Sequence, residues 1–262
     1  MARVCPLFSG SSGNCVFVGS AREGVLVDAG VSARRIEQAL RDRGIAPESI
    51  RAVLVTHEHR DHIAGLRVLT RRYGFPVCGT VGTLEALAAA DAVPPDAALM
   101  PISGRASVGS LVVSPFATSH DCRQSCGYVI ELPDERRVAV ATDTGVATEE
   151  MKAALPGCDC VIIESNHDPE MLWRGPYPYV LKTRIASEAG HLANADCAAL
   201  LPELVRRGTT RLILAHLSAE NNTPRLALGT ASAALARAGL TAGVDYLLEA
   251  AAPQSVEDVT IF

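Results

Sequence analysis

Thr56-His57-Glu58-His59-Arg60-Asp61-His62 follows directly on the apolar run Ala52-Val53-Leu54-Val55. The stretch has the pattern H-x-H-x-D-H and sits at the mouth of an expected strand. Of the seven His in 262 residues, three stand here. In an extended segment residues i and i+2 point the same way, so His57 and His59 can converge on one ion. Asp61 and His62, past a turn into a helix, can reach a second. Imidazole nitrogen suits zinc and also manganese or iron, and the carboxylate widens the choice. Two ions roughly 3.5–4 Å apart acidify bound water and stabilise both the attacking and the leaving oxygens.

Such a pair needs further ligands, and other strand ends offer them. His120 follows the run Leu111 to Phe116, Asp143 follows Val138-Ala139-Val140-Ala141-Thr142, and His216 follows Leu212-Ile213-Leu214-Ala215. Each is a metal-binding side chain at the carboxyl end of an apolar strand, where loops gather into sites.

The rest of the chain alternates short strands with helices. Further strands are expected at Cys15–Val18, Gly24–Asp28, Gly127–Ile130, Arg137–Val140, Val161–Ile163 and Arg211–Leu214, bounded by Gly, Pro, Asp or Ser. Helices are expected after Ser32, with Ile36, Ala39 and Leu40 inward and an end at Gly44, and from His62 to Arg72. Others run from Thr148 to Leu155, from an Asn194 cap to Arg207, and from Thr223-Pro224 onward. The pattern predicts an α/β protein with no dividing linker, a single domain over 1–262.

Composition narrows the class. A hydrophobic content of 48% and a charged content of 20% fit a globular protein. No apolar run reaches the roughly 18 residues of a membrane span, and Met1 to Leu7 does not read as a signal peptide. A cytoplasmic protein is expected. Eight Cys without paired metal-binding spacings are expected to be reduced thiols packed as small hydrophobes. The net charge of −5 argues against nucleic-acid binding by the whole surface, but not against a local basic groove. All cations but Lys152 and Lys182 are Arg.

Asp28 after a strand, then H-x-H-x-D-H, then His120, Asp143 and His216, is an order that resembles the metallo-β-lactamase superfamily. The resemblance implies a four-layer αββα sandwich with the metals at one edge between two sheets. It implies that His57, His59 and His120 hold one metal, that Asp61, His62 and His216 hold the other, and that Asp143 bridges them. Asp28 would stand behind the ligands and orient their loop. Four further stretches resemble the YycJ (WalJ) subgroup: Leu7-Phe8-Ser9-Gly10-Ser11-Ser12-Gly13-Asn14-Cys15; Glu164-Ser165-Asn166-His167-Asp168; Arg184-Ile185-x2-Glu188-x-Gly190-His191-Leu192-x-Asn194; and Leu214-Ala215-His216-Leu217-Ser218-x2-Asn221-Asn222. That subgroup implies a DNA-processing phosphodiesterase, a 5′-to-3′ exonuclease linked to mismatch repair. A hydroxide held between the two ions and hydrogen-bonded to Asp61 would attack phosphorus.

Residues outside the ligand set bear on substrate. Ser9, Ser11 and Asn14 lie in a Ser/Gly loop that can cradle an anion, or be a plain turn. His191, just ahead of an expected helix, can bind the scissile phosphate, protonate the leaving 3′-oxygen, or simply pack. His167 can assist proton transfer or orient substrate, with Glu164 in the same loop to fix it; a surface His is the alternative. Arg184 and Lys182 are candidate phosphate contacts. Tyr177-Pro178-Tyr179, after Trp173, reads as an ordinary packed loop, though bases could stack there. A metal hydroxide attacks carbonyls as well as phosphorus, so a hydrolase of a thioester, lactone or other small ester stays open. So does a non-catalytic protein with structural metals.

Overall fold

Apolar runs too short for helices become strands, and the amphipathic stretches between them become the connections. The structure, a computed structural model, describes residues 1–254 and 260–261. Its residues form two compact units.

The first unit comprises Met1–Pro115, Cys122–Arg136 and Ala252–Phe262. It begins with strands β1 (Arg3–Phe8), β2 (Cys15–Gly19) and β3 (Gly24–Val27), then helix α1 (Ala33–Asp42) and β4 (Ile50–Leu54). Helices α2 (Arg60–Ile63) and α3 (Leu66–Tyr73), strand β5 (Val77–Gly79), helix α4 (Val81–Ala89) and strand β6 (Leu99–Pro101) follow. Strands β7 (Ala106–Val108), β8 (Leu111–Ala117) and β9 (Cys126–Glu131) come next, with the last two residues of β8 in the other unit. The second unit holds Phe116–Asp121 and Arg137–Ala251. Its elements are β10 (Arg137–Ala141), α5 (Glu149–Ala154), β11 (Cys160–Glu164), α6 (Pro169–Arg174), α7 (Tyr179–Ile185), α8 (Asn194–Arg206), β12 (Arg211–Ala215), α9 (Pro224–Arg237) and β13 (Leu247–Ala250). Strand β14 (Thr260–Ile261) returns to the first unit.

In the first unit one sheet runs β14-β1-β2-β3-β4-β5-β6. The pairs from β3 to β6 are parallel, and each needs a helical crossover. Helix α1 supplies the first and buries Ile36, Ala39 and Leu40, the stripe its spacing predicts. In the second unit β10, β11, β12 and β13 pair in that order, all parallel. Strand β11 is buried at every position, and Cys160 to Ile163 accordingly reads as an unbroken apolar run. Parallel strands aim their carboxyl ends in one direction, and ligands gather beyond those ends in open α/β sheets.

Three local expectations are corrected. The helix expected from His62 to Arg72 is two helices, broken at Ala64-Gly65. The carbonyl of Asp61 accepts from Asn14 N at 2.8 Å, and that of His62 from Ala29 N at 2.8 Å. Neither is left for the helix ladder, and Gly65 N turns instead to Ala29 O. Asn194 does not cap α8; Ala193 holds that position. The Asn194 side chain is drawn inward, donating to Asn222 Oδ1 at 2.9 Å and accepting from Ser165 Oγ at 2.7 Å. The segment around Tyr179 is not a packed loop: it starts α7, which buries none of its residues, and Tyr179 is 73% exposed.

Gly30 is where the loops meet. Its N donates to Asn14 O, and a Cβ there would lie 1.7 Å from Asp61 O. No side chain can flex out of that contact, because the opposing atom is backbone. Gly30→Ala is expected to destabilise the protein by about 3 kcal/mol or more, read by chemical denaturation. Wild-type stability in that variant would show that the loops are not clamped as described.

Candidate metal centre

Both units carry part of the expected ligand set, and all of it but His120, which follows the antiparallel strand β8, lies beyond parallel strands. In the first, Asp28 follows β3, and His57 to His62 follow β4. In the second, Asp143 follows β10, Glu164 ends β11 and His216 follows β12.

Three of these residues adopt a backbone conformation that non-glycine residues rarely take. Asp28 has φ 63°, Asp143 φ 59° and His216 φ 55°. Among the described residues only Asp91 and Glu135 share this feature outside glycine. Such a residue costs of order 1–3 kcal/mol and clusters where function demands its direction.

In the first unit the Asp28 carboxylate organises the imidazoles. Its Oδ2 accepts from His62 Nδ1 at 2.7 Å and from Thr56 Oγ at 2.8 Å, while Oδ1 accepts from Thr56 N at 2.8 Å. Thr56 Oγ, its proton given to Asp28, accepts in turn from His57 Nδ1 at 3.0 Å. Burial pushes the Asp28 pKa up, and His62 and Thr56 work against that rise. Both His57 and His62 are buried, and their rings lie 4.1 Å apart between centroids. The His59 ring is 4.6 Å from that of His57. Asp61 Oδ2 is 3.7 Å from His62 Nε2.

In the second unit Glu164 has the same task. It is fully buried, and its Oε1 accepts from His191 Nδ1 at 2.8 Å and from His216 Nδ1 at 2.9 Å. Its Oε2 accepts from Thr144 N at 2.8 Å. Burial opposes its charge, but the His191 and His216 imidazoles outweigh burial and hold the carboxyl well below the usual range. Burial likewise disfavours a charged His191, yet Glu164 overrides it and raises that pKa. His120 donates from Nδ1 to Gly190 O at 3.0 Å, and burial lowers its pKa. Asp143, Glu164, His191 and His216 each offer a donor atom within 4.8 Å of the others.

One pattern joins these contacts. In His57, His62, His120 and His216, Nδ1 is engaged by an oxygen acceptor, which fixes the tautomer and leaves Nε2 as a lone-pair donor. A neutral imidazole oriented in this way is what a divalent ion requires. The donor set therefore fits metal ions.

The other expected site residues fall out differently. Glu164 does not fix His167: its oxygens are taken by His191, His216 and Thr144. His167 is buried, and its Nδ1 meets no hydrogen-bond partner among the described residues. Asn14 is buried and closes the Ser/Gly loop, accepting from Gly10 N at 2.9 Å and donating to Gly10 O at 3.1 Å. Its Nδ2 lies 3.0 Å from His62 Nε2. Ser9 is buried, whereas Ser11 is exposed. Arg184 is paired with Asp121, and Lys182 donates to Trp173 O. All eight Cys are free thiols, and seven are buried. Sequence reasoning gave no role to Thr56, which links Asp28 to His57, or to Asn166, which donates to His216 O at 2.8 Å. Asn166 stood in a recognised stretch but had no partner assignable from spacing.

The Asp28 contacts carry a prediction. Asp28→Asn replaces an acceptor by an amide that can no longer take all three hydrogen bonds. Metal affinity is expected to fall about 10–100-fold, measured by competition with a chromophoric chelator. Unchanged affinity would remove Asp28 from any role in orienting His62.

Comparison with known proteins identifies the family. The family model described as Beta-lactamase superfamily domain matches residues 23–217. The chain is 36% identical over 239 residues to the exodeoxyribonuclease YycJ of Bacillus anthracis, covering 90% of each chain. It is 34% identical over 258 residues to the exodeoxyribonuclease WalJ of Streptococcus pneumoniae serotype 2, covering 97% of this chain and 96% of that one. The crystal structure of the metallo-beta-lactamase fold protein YhfI from Bacillus subtilis aligns with a TM-score of 0.73 at 15% identity, covering 97% of this chain and 98% of the other. At that identity the likeness is one of fold.

Proposed function

The chain belongs to the metallo-β-lactamase superfamily, with its α/β fold, and from that premise we propose that it is a metal-dependent phosphodiesterase acting on DNA as a 5′-to-3′ exonuclease. The reading takes residues 1–262 as one hydrolase domain, with two divalent ions, zinc, manganese or iron. It places the protein in the cytoplasm, with a part in mismatch repair. No helix among the described residues is long and apolar enough to cross a membrane.

The observation that carries the metal-dependent part is the set of four imidazoles, His57, His62, His120 and His216, whose Nδ1 is held by an oxygen. His57, His59, Asp61, His62, His120, Asp143 and His216 are the proposed ligands. When bound, two such ions supply Lewis acidity to the phosphoryl oxygens and acidify a water for attack on phosphorus. The names of the two relatives, matched over nearly their whole lengths, support DNA as substrate.

The chain's own groups then have distinct tasks. Asp61 orients the attacking water by accepting its hydrogen bond. His191 delivers a proton from Nε2 to the leaving 3′-oxygen, while Glu164 holds its Nδ1 and favours the protonated ring. His167 and Arg184 serve as supporting contacts to substrate.

Chromogenic substrates separate the reaction classes. Bis-p-nitrophenyl phosphate should be hydrolysed in zinc or manganese, and a chromogenic thioester or lactone should not. The reverse outcome would make the protein a small-ester hydrolase.

A further inference from the structure

An open cavity of about 470 Å³ lies in the first unit, beside the metal-ligand run. Its wall includes Ser11, Ser12, Ser32, Arg35, Arg60 and Asp61. Arg60 and Asp61 open α2, and Ser32 immediately precedes α1, whose first turn has no acidic residue. Ser11 and Ser12 are the tip of the Ser/Gly loop that Asn14 ties down. The clamp at Gly30 therefore fixes three separate chain segments around one hollow.

The polar groups here have little else to do. Arg35 lies over the Phe8 ring, 4.7 Å from its centroid, and donates to the neutral Gln254 Oε1 at 3.0 Å. Arg60 makes no ion pair or side-chain hydrogen bond among the described residues, in contrast to Arg51, Arg67, Arg72, Arg105 and Arg123, all paired with carboxylates. The hydroxyls of Ser11, Ser12 and Ser32 also have no partner among the described residues, and Ser32 makes no side-chain cap. Two guanidinium groups and three hydroxyls around one hollow match the oxygens of a phosphate. The single carboxylate in the wall, Asp61, is one the proposed function assigns to metal.

We propose that this cavity is a phosphate subsite, in which Arg35 and Arg60, with Ser11, Ser12 and Ser32, hold a phosphate of the nucleic-acid strand other than the one being cleaved. The proposal rests on the nuclease reading above and names the residues by which a chain of net charge −5 grips a polyanion. The chemistry is the same for an internal phosphate and for a 5′-terminal one.

Steady-state digestion of duplex DNA by the metal-loaded protein tests it, with Arg35→Gln and Arg60→Gln compared against Arg34→Gln. Arg34 is exposed on the same helix but does not line the cavity. Each cavity variant is expected to raise KM about tenfold, with kcat changed less than about threefold. Each should also flatten the dependence of log(kcat/KM) on log salt by about 0.9. Arg34→Gln should stay within about twofold of wild type. Arg60→Gln removes no contact that supports the fold, so it remains informative even if Arg35→Gln folds poorly. A loss confined to 5′-phosphorylated ends assigns the cavity to the terminal phosphate; equal losses on 5′-hydroxyl ends assign it to an internal one. If wild type digests DNA and the cavity variants match Arg34→Gln, the subsite is wrong and the nuclease reading stands. If wild type digests no DNA, the nuclease reading fails and the subsite falls with it.

Discussion

Asp61→Asn should lower kcat on DNA about a hundredfold or more, while leaving the melting temperature within about 3 °C of wild type. The two halves of that expectation come from different atoms. The backbone carbonyl of Asp61 receives Asn14 N and stitches the Ser/Gly loop to α2, and Asn keeps that carbonyl. The carboxylate, part-exposed and 3.7 Å from His62 Nε2, is the proposed ligand and water-orienting group, and Asn lacks its charge. A variant that folds and turns over like wild type would refute the mechanism. A variant that fails to fold would show that the side chain, not the carbonyl, supports the loop.

Glu164→Gln should be the most damaging change in the second unit. The native carboxylate faces only donors: two imidazole N–H groups and the backbone N–H groups of Thr144 and Leu192. An amide turns its own NH2 toward at least one of them, leaving buried donors unmatched. A loss of about 3–5 kcal/mol is expected, with a fall in metal affinity of about 10–100-fold. Chemical denaturation and chelator competition read the two effects. The pH dependence follows from the depressed pKa of Glu164. A carboxylate favoured in the folded state contributes stability above the unfolded-state value of about 4.3, and that contribution is lost as the pH falls below it. Metal-free wild type should therefore lose stability on acidification more steeply than Glu164→Gln. Parallel acid profiles would mean that Glu164 is not held as an anion.

Much of this site could be read from residue types placed after strands. Parallel strands are largely buried on both faces, so β4, β10 and β12 stand out as apolar runs, and a His or Asp just beyond each is conspicuous. What could not be read depends on partners distant in the chain. Glu164 meets His191 and His216, which are 27 and 52 residues away, whereas the sequence offered only the nearby His167. The break between α2 and α3 is imposed by Asn14 and Ala29 taking two helix carbonyls, so no pattern within 62–72 contains it. Strand β1 holds Pro6, a residue that argues against a strand, and its register with β2 shifts between Pro6 and Phe8. The exposed face of α7 is a different failure, because aromatic residues normally signal burial.

The central claim is that these oriented imidazoles serve phosphodiester cleavage in DNA. End-labelled DNA and RNA, single- and double-stranded, incubated with the protein in zinc or manganese, test it most directly. The account predicts stepwise release of mononucleotides from DNA 5′ ends, abolished by chelation and by Asp61→Asn. Intact strands under every metal and substrate condition, from a folded and metal-loaded protein, would contradict it.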